Sequence, residues 1–371
     1  MSNRAHILDL DLPDYLKELV PYPPGKPLEE LEREYGIKDA IKMASNENPL
    51  GPSPKAQQAV IQSVGRLHRY PDGASYYLKE KLCKVWGVAQ ENMVLGNGSN
   101  ELIEFLVKVA LRPGDEAISS SPSFLMYTKL VQAAGGKNVT VPLSDFRHDL
   151  SGIARSVTSR TRLIFLDNPH NPTGTVLDRD DFNDFLASLP DHVIVVLDEA
   201  YGEFVRDDRC PMGIEYVGKD SRVVFLRTFS KAYGLAGLRV GYGIMDAGLA
   251  TYLERVRQPF NVNLPAQAAA LAALEDQEYL KTVLETTWQG MEYLSQELDR
   301  LGCTVFPSQT NFILVDVKKD ARAVYEQMLR QGVIIRAMTS YGFPTFMRIT
   351  VGLPDENERC IAALECVLRE D

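Results

Sequence analysis

Lys231 stands in Thr228-Phe229-Ser230-Lys231-Ala232-Tyr233-Gly234, followed by Arg239 and preceded upstream by Leu197-Asp198-Glu199-Ala200-Tyr201. A lysine amine condenses with an aldehyde, a carboxylate keeps a pyridine nitrogen protonated, and hydroxyls with a guanidinium bind a phosphate dianion. Those are the separate demands of one small molecule, pyridoxal 5'-phosphate, and this grouping answers each of them. A lysine beside a cationic ring has its pKa lowered, which frees the amine as nucleophile and proton carrier. Thr228, Ser230 and Arg239 are the expected phosphate binders, Arg239 as a bidentate clamp that a lysine could not replace.

Asp198 ends the most apolar run of the chain, and an acid at the carboxyl end of a central strand points into the crevice where open α/β sheets bind ligands. A capping or salt-bridged aspartate is the plainer alternative. Tyr201 is placed to reach the ring oxygen, as is Asn171 in the stiff turn Asn168-Pro169-His170-Asn171-Pro172-Thr173-Gly174. Gly96-Asn97-Gly98-Ser99-Asn100-Glu101 precedes a helix and reads as an anion-cradling loop. A dinucleotide fingerprint is the weaker reading of that loop, because Glu101 replaces its third glycine. Phe124 offers an aromatic face for stacking, although packing accounts equally for it and for Tyr201. Arg336 and Arg348 are candidate anion receptors for substrate, or salt-bridge partners.

The elements that must hold these groups alternate in a βαβ rhythm. Short apolar runs at 93–95, 117–118, 163–166, 193–197 and 223–226 predict buried strands, and the stretches 99–111, 124–134 and 178–189 predict helices between them. That is an α/β fold with a mostly parallel sheet sandwiched by helices. A helical run over 264–301 leads to strands at 312–315, 333–335 and 347–351, which suggests a smaller α+β unit. The Pro-rich N-terminal segment reads as an arm. The expected division is 1–45 for the arm and part of the small domain, 46–265 for the large domain and 266–371 for the small one.

With 371 residues, 45% of them hydrophobic and 24% charged, the chain has the make-up of a soluble globular protein with ample core. A formal net charge of -10 without a basic block argues against nucleic acid and against an anionic membrane surface. No apolar stretch approaches the roughly 20 residues of a membrane span. Five scattered cysteines without a CxxC pair fit a reducing cytoplasm. None of the five histidines forms an HxxxH pair, so no metal is expected.

The motifs Ser45-Asn46-Glu47-Asn48-Pro49, Arg69-Tyr70-Pro71-Asp72, Asn171-Pro172-Thr173-Gly174, Asp198-Glu199-Ala200-Tyr201, Ser230-Lys231 with Arg239, and Tyr341-Gly342-Phe343-Pro344 before Arg348-Ile349-Thr350-Val351-Gly352 occur in one order. In that order the chain resembles, over nearly its whole length, the pyridoxal-phosphate-dependent aminotransferases of the aspartate aminotransferase fold, fold type I. Within them it is most similar to the histidinol-phosphate aminotransferase branch. The resemblance implies a homodimer in which Tyr70 reaches the cofactor phosphate of the other subunit, beside Ser99, Asn100, Ser230 and Arg239. It implies Lys231, Asp198 and Tyr201 as the catalytic set, and Tyr22, Asn46, Arg336 and Arg348 as residues facing substrate. Phe124 departs from relatives that carry tyrosine, which keeps stacking and loses a hydroxyl contact. The implied reaction passes nitrogen from glutamate to imidazole acetol phosphate.

An aromatic amino-acid aminotransferase and a threonine-phosphate decarboxylase would use the same cofactor residues and differ in what the site admits. A pyridoxal-phosphate-binding sensor domain is the alternative outside enzymes. The short acidic N-terminus lacks the DNA-binding module such regulators bring.

Overall fold

The computed structural model describes residues 11–21 and 25–369. Ile41–Lys42 forms a short strand, β1. Seven further strands follow: Met93–Gly96 (β2), Glu116–Ser121 (β3), Lys137–Pro142 (β4), Thr161–Asp167 (β5), Ile194–Asp198 (β6), Val223–Thr228 (β7) and Gly241–Ile244 (β8). They build one sheet in the order β2-β8-β7-β6-β5-β3-β4, parallel throughout except for β8, which runs antiparallel to both neighbours. Ile164, Leu166, Val195, Leu197 and Phe225 pack into a core on one face of this sheet, and Phe165, Val196, Val224 and Leu226 into another on the opposite face. Burial on both faces is why these strands are continuous apolar runs instead of alternating ones.

The sequence signal missed β4 and β8. β4 is an edge strand that leaves most of its side chains partly or wholly in solvent, and β8 carries Gly241 and Gly243, so neither presents a hydrophobic run. Gly241 is needed at its place: a Cβ there would come within 2.5 Å of the Ser99 backbone nitrogen.

The helical run expected over 264–301 is two helices. Pro54–Val64 (α1), Ser99–Ala110 (α2) and Met126–Ala133 (α3) belong to the large sheet's layers, and Leu264–Leu274 (α4) joins them, burying Ala266, Ala269, Ala270 and Ala273 in the same core as α1. The chain breaks at Glu275 and Asp276, after which Gln277–Arg300 (α5) turns Leu294 and Leu298 into a different core. The break lets α4 and the C-terminal half of α5 face different cores.

That second core lies between α5, Ala321–Arg330 (α6) and Pro354–Arg369 (α7) and a four-stranded sheet. The sheet has Thr304–Val305 (β9), Phe312–Asp316 (β10), Arg336–Ala337 (β12) and Phe346–Thr350 (β13), in the order β12-β13-β10-β9, antiparallel. The expected strand over 333–335 ends at Ile334, and a separate strand begins at Arg336. Val333–Ile334 (β11) pairs in parallel with β1, while Arg336 and Ala337 pair with β13. Met43, just past β1, is buried in the same core, so the N-terminal segment is tied to the C-terminal unit.

Candidate active site

The carboxyl ends of β5, β6 and β7 open onto a cavity of about 260 Å³. Asp167 and Asp198 end β5 and β6 as register partners, and Thr228 ends β7 beside them. Thirteen of the residues predicted for the site line this one cavity: Ser99, Asn100, Phe124, Asn171, Asp198, Tyr201, Thr228, Ser230, Lys231, Arg239, Asn46, Arg336 and Arg348. Tyr70 is not among them. It is 82% exposed and stacked on Phe260, with ring centroids 4.7 Å apart. Tyr22 lies outside the described residues.

One end of the cavity is built for an anion. Ser99 opens α2, so free backbone N–H groups and the positive end of the helix dipole face inward. Gly98 holds φ at 81°, and a Cβ there would lie 2.5 Å from Arg239 Nη2, which is how closely backbone and guanidinium approach. Glu101 Oε2 accepts from the Asn97 amide and from Asn261 Nδ2, both at 2.6 Å, and so locks the loop. Arg239 donates to Ser230 Oγ at 3.3 Å, and Thr228 Oγ1 donates to the same oxygen at 3.0 Å.

Asp198 is buried, and no lysine or arginine lies within salt-bridge distance of it among the described residues. Its Oδ2 accepts from the Tyr127 hydroxyl at 2.9 Å and its Oδ1 from the Ala200 amide at 3.2 Å. Burial, with Asp167 adding repulsion, pushes its pKa up to about 7. Lys231 donates to the Ser45 carbonyl at 3.2 Å and lies 5.6 Å from the centre of the Tyr201 ring. Burial, with Arg348 nearby, brings its amine down to about 8, close to where a nucleophile is free at neutral pH.

Tyr201 accepts from Asn46 Nδ2 at 2.8 Å and from Asn171 Nδ2 at 3.5 Å, and burial raises its phenol. Asn46 holds φ at 55° and is fastened by Thr350, whose hydroxyl donates to Asn46 Oδ1 at 3.1 Å. Arg348 and Arg336 are direct cross-strand partners on β13 and β12. Arg348 donates to Asn171 Oδ1 at 2.6 Å and to the Ala44 carbonyl at 2.9 Å, while its Nε is buried without a partner. Neither arginine has a carboxylate partner among the described residues. Like charges placed opposite each other repel, so an anion between them has a clear physical role.

Asp167 and Tyr127 also line the cavity and escaped the sequence reading. Asp167 accepts from Ser123 Oγ and from the Asn171 amide, both at 2.7 Å, and so sets the Asn171 turn. It carried the same signal as Asp198, an acid at the end of a buried strand. Asp167 also comes together with His148 and His170, all three buried, with possible ligand atoms within 4.8 Å. The ring nitrogens of these histidines already engage Ser120 Oγ and the Asp167 carbonyl, and Thr173 Oγ1 and the Pro122 carbonyl. Burial lowers His170 to about 4, which keeps it neutral.

Residues 38–364 match the family model for aminotransferase class I and II. The chain belongs to that family. A histidinol-phosphate aminotransferase of Desulfotalea psychrophila is 53% identical to it, over 98% of this chain and 97% of the relative. One of Moorella thermoacetica is 47% identical over 94% and 90%. Among solved structures, the histidinol-phosphate aminotransferase of Sinorhizobium meliloti in complex with pyridoxal-5'-phosphate is 32% identical and covers 97% of this chain and 98% of its own, at a TM-score of 0.89. An aspartate aminotransferase of Thermus thermophilus, 22% identical with a TM-score of 0.82, shares the fold. This class I and II aminotransferase is therefore a transferase of fold type I. Among the described residues, no helix is long and apolar enough to cross a membrane.

Proposed function

We propose that this aminotransferase binds pyridoxal 5'-phosphate and transfers the amino group of L-glutamate to imidazole acetol phosphate, giving 2-oxoglutarate and L-histidinol phosphate in histidine biosynthesis. The observation that carries the reading is one cavity joining Lys231, Asp198 and two facing arginines, where among the described residues Asp198 has no cation and the arginines no carboxylate within salt-bridge distance, in a chain half identical to histidinol-phosphate aminotransferases.

The residues fit the cofactor. A buried carboxylate is costly unless paired, and a protonated ring nitrogen supplies the cation Asp198 lacks. Ser99, Ser230 and Arg239, with Gly98 packed closely against the guanidinium, offer donors for a phosphate. When bound, pyridoxal phosphate supplies an aldehyde carbon and a ring that accepts electron density from the substrate α-carbon. The chain's own residues do the rest. Asp198 holds the proton on the ring nitrogen, Asn171 and Tyr201 donate to the ring oxygen, and Phe124 covers a ring face. Lys231 carries the α-proton, with a pKa that lets it give and take near neutral pH. Arg348 grips the carboxylate of glutamate or the substrate phosphate, helped by Arg336 and Asn46, and we assign Tyr22 a part in holding substrate.

We further propose a cytoplasmic homodimer in which Tyr70 completes the partner's phosphate site. Its exposure fits that role, as do the exposed apolar side chains of Ile61, Leu67 and Tyr77 in the same stretch of chain. All five cysteines are free, in keeping with a reducing compartment. The domain division we favour keeps 1–45 as the arm and part of the small unit and starts the large unit at 46, but extends the large unit through Leu274, because α4 packs in its core.

Purified protein supplied with glutamate and a panel of acceptors tests the assignment. Imidazole acetol phosphate should exceed phenylpyruvate in kcat/KM by about 100-fold or more, since a phosphate dianion can engage both arginines, whereas the single carboxylate of phenylpyruvate leaves one of them without a partner. Equal values would make it an aromatic aminotransferase, and carbon dioxide release from threonine phosphate a decarboxylase. Borohydride should leave a pyridoxyl group on Lys231 by peptide mass, and Lys231→Ala should lose label and turnover together.

A further inference from the structure

We propose that Tyr127 is a positioning residue for the reaction: its hydroxyl aims the Asp198 carboxylate at the ring nitrogen and holds it ionised inside the cavity. The inference rests on the pyridoxal phosphate reading above.

Asp198 faces ionisable groups from several elements. On β5, Asp167 is its register partner and repels it. On its own segment, Glu199 is a second buried acid and Tyr201 a protonated phenol. Lys231 lies on the same cavity and adds a weak attraction. Against two like charges in a dry place, the ionised form has two donors: the Ala200 amide on Oδ1 and the Tyr127 hydroxyl on Oδ2. Hydrogen bonds to the charged form of an acid favour that form. Tyr127 reaches Asp198 from α3, the helix that follows Phe124, so the donor comes from another layer of the fold.

Packing alone does not explain a tyrosine there. Its ring is 1% exposed, lies parallel to Phe165 at 4.8 Å and meets Phe124 edge-on at 5.4 Å. A phenylalanine would make all of these contacts and would avoid burying a hydroxyl, which costs free energy unless it is bonded. The hydroxyl's bond goes to Asp198, and burial beside that acid raises the phenol well above its ordinary range, so it stays a donor at every working pH. The same residue touches Phe124 and Asp198, and thus ties together the residue that covers the cofactor ring and the one that keeps its nitrogen protonated.

Tyr127→Phe in the full-length protein is the test, read first without cofactor. Infrared difference titration follows the protonated-carboxyl band that is absent from Asp198→Asn. A hydrogen bond to a charged group should hold its midpoint down by about one to two pH units, so the midpoint should rise by that much in Tyr127→Phe. In the loaded enzyme kcat should fall about tenfold with little change in KM, the rate equivalent of one such unit. The acid limb of the kcat profile should move up in pH to match. 3-Fluorotyrosine introduced at position 127 alone, a stronger donor of nearly the same shape, should shift the midpoint downward, which keeps the test open if Tyr127→Phe does not fold. A midpoint unchanged in both variants overturns the proposal and leaves Tyr127 a packing residue. If wild-type protein binds no pyridoxal phosphate, the reading of the site falls instead, while the carboxyl titration still decides what Tyr127 does to Asp198.

Discussion

Asp198 is a liability to the fold until its partner arrives. Its pKa is raised on folding, so the cofactor-free protein holds that proton more tightly folded than unfolded. The sign follows: this contribution to stability is complete below about pH 4 and is lost as pH climbs through about 7. At pH 8 the fold holds a buried carboxylate without a cation, at a cost of order 4 kcal/mol from a shift of about three units. Asp198→Asn removes that charge and keeps the shape. In thermal melts of cofactor-free protein it should stabilise by about 2 kcal/mol at pH 8 and change little at pH 4, while abolishing turnover. A variant less stable than wild type at pH 8 would mean that the carboxylate is already compensated. The chain revealed Lys231 and Asp198 because each follows its own strand. It did not reveal Tyr127, whose partner Asp198 is 71 positions away, or the bond from Arg348 to Asn171, 177 positions apart.

At the scale of elements, the anion end depends on how closely the start of α2 approaches Arg239. Gly98→Ala puts a side chain at positive φ and within 2.5 Å of the guanidinium, so either the loop or Arg239 must move. Affinity for pyridoxal phosphate, read by fluorescence titration, should weaken about 10- to 100-fold, the equivalent of one or two charge-assisted hydrogen bonds. Unchanged affinity would show that the clamp does not lie at this loop. The glycines and Ser99 were legible in the chain as a helix start. The grip of Glu101 on Asn97 was not, although that same residue spoiled the dinucleotide fingerprint. The strand expected over 333–335 also stops short in a way no local pattern signals, since Ile334 pairs with β1 and a new strand at Arg336 pairs with β13.

For the whole molecule, the exposed Tyr70 decides how many chains make a site. Light scattering should give twice the 41.4 kDa of the chain. Tyr70→Ala and Lys231→Ala should each be weak or inactive alone. Mixed and allowed to exchange subunits, they should regain activity, because one site per heterodimer then has an intact Lys231 and an intact Tyr70 of the partner. No recovery would place Tyr70 in its own subunit's service or in none. The two cores of the chain also belong to this scale: α4 and α5 look continuous in sequence because both are good helix formers, and the break at Glu275 and Asp276 leaves α4 in the core of the large sheet while Leu294 and Leu298 of α5 enter that of the small one.

By itself the sequence determined the buried strands, the acid and the amine at their ends, and the glycines that admit an anion, because each is set by neighbours within a few residues. Only the tertiary structure decided which groups meet. Asn46 reaches Tyr201, Arg336 is set beside Arg348, and Tyr127 is aimed at Asp198. Such contacts depend on the register between strands and the packing between layers, which arise from the burial of the whole chain and leave no mark in any local stretch of it.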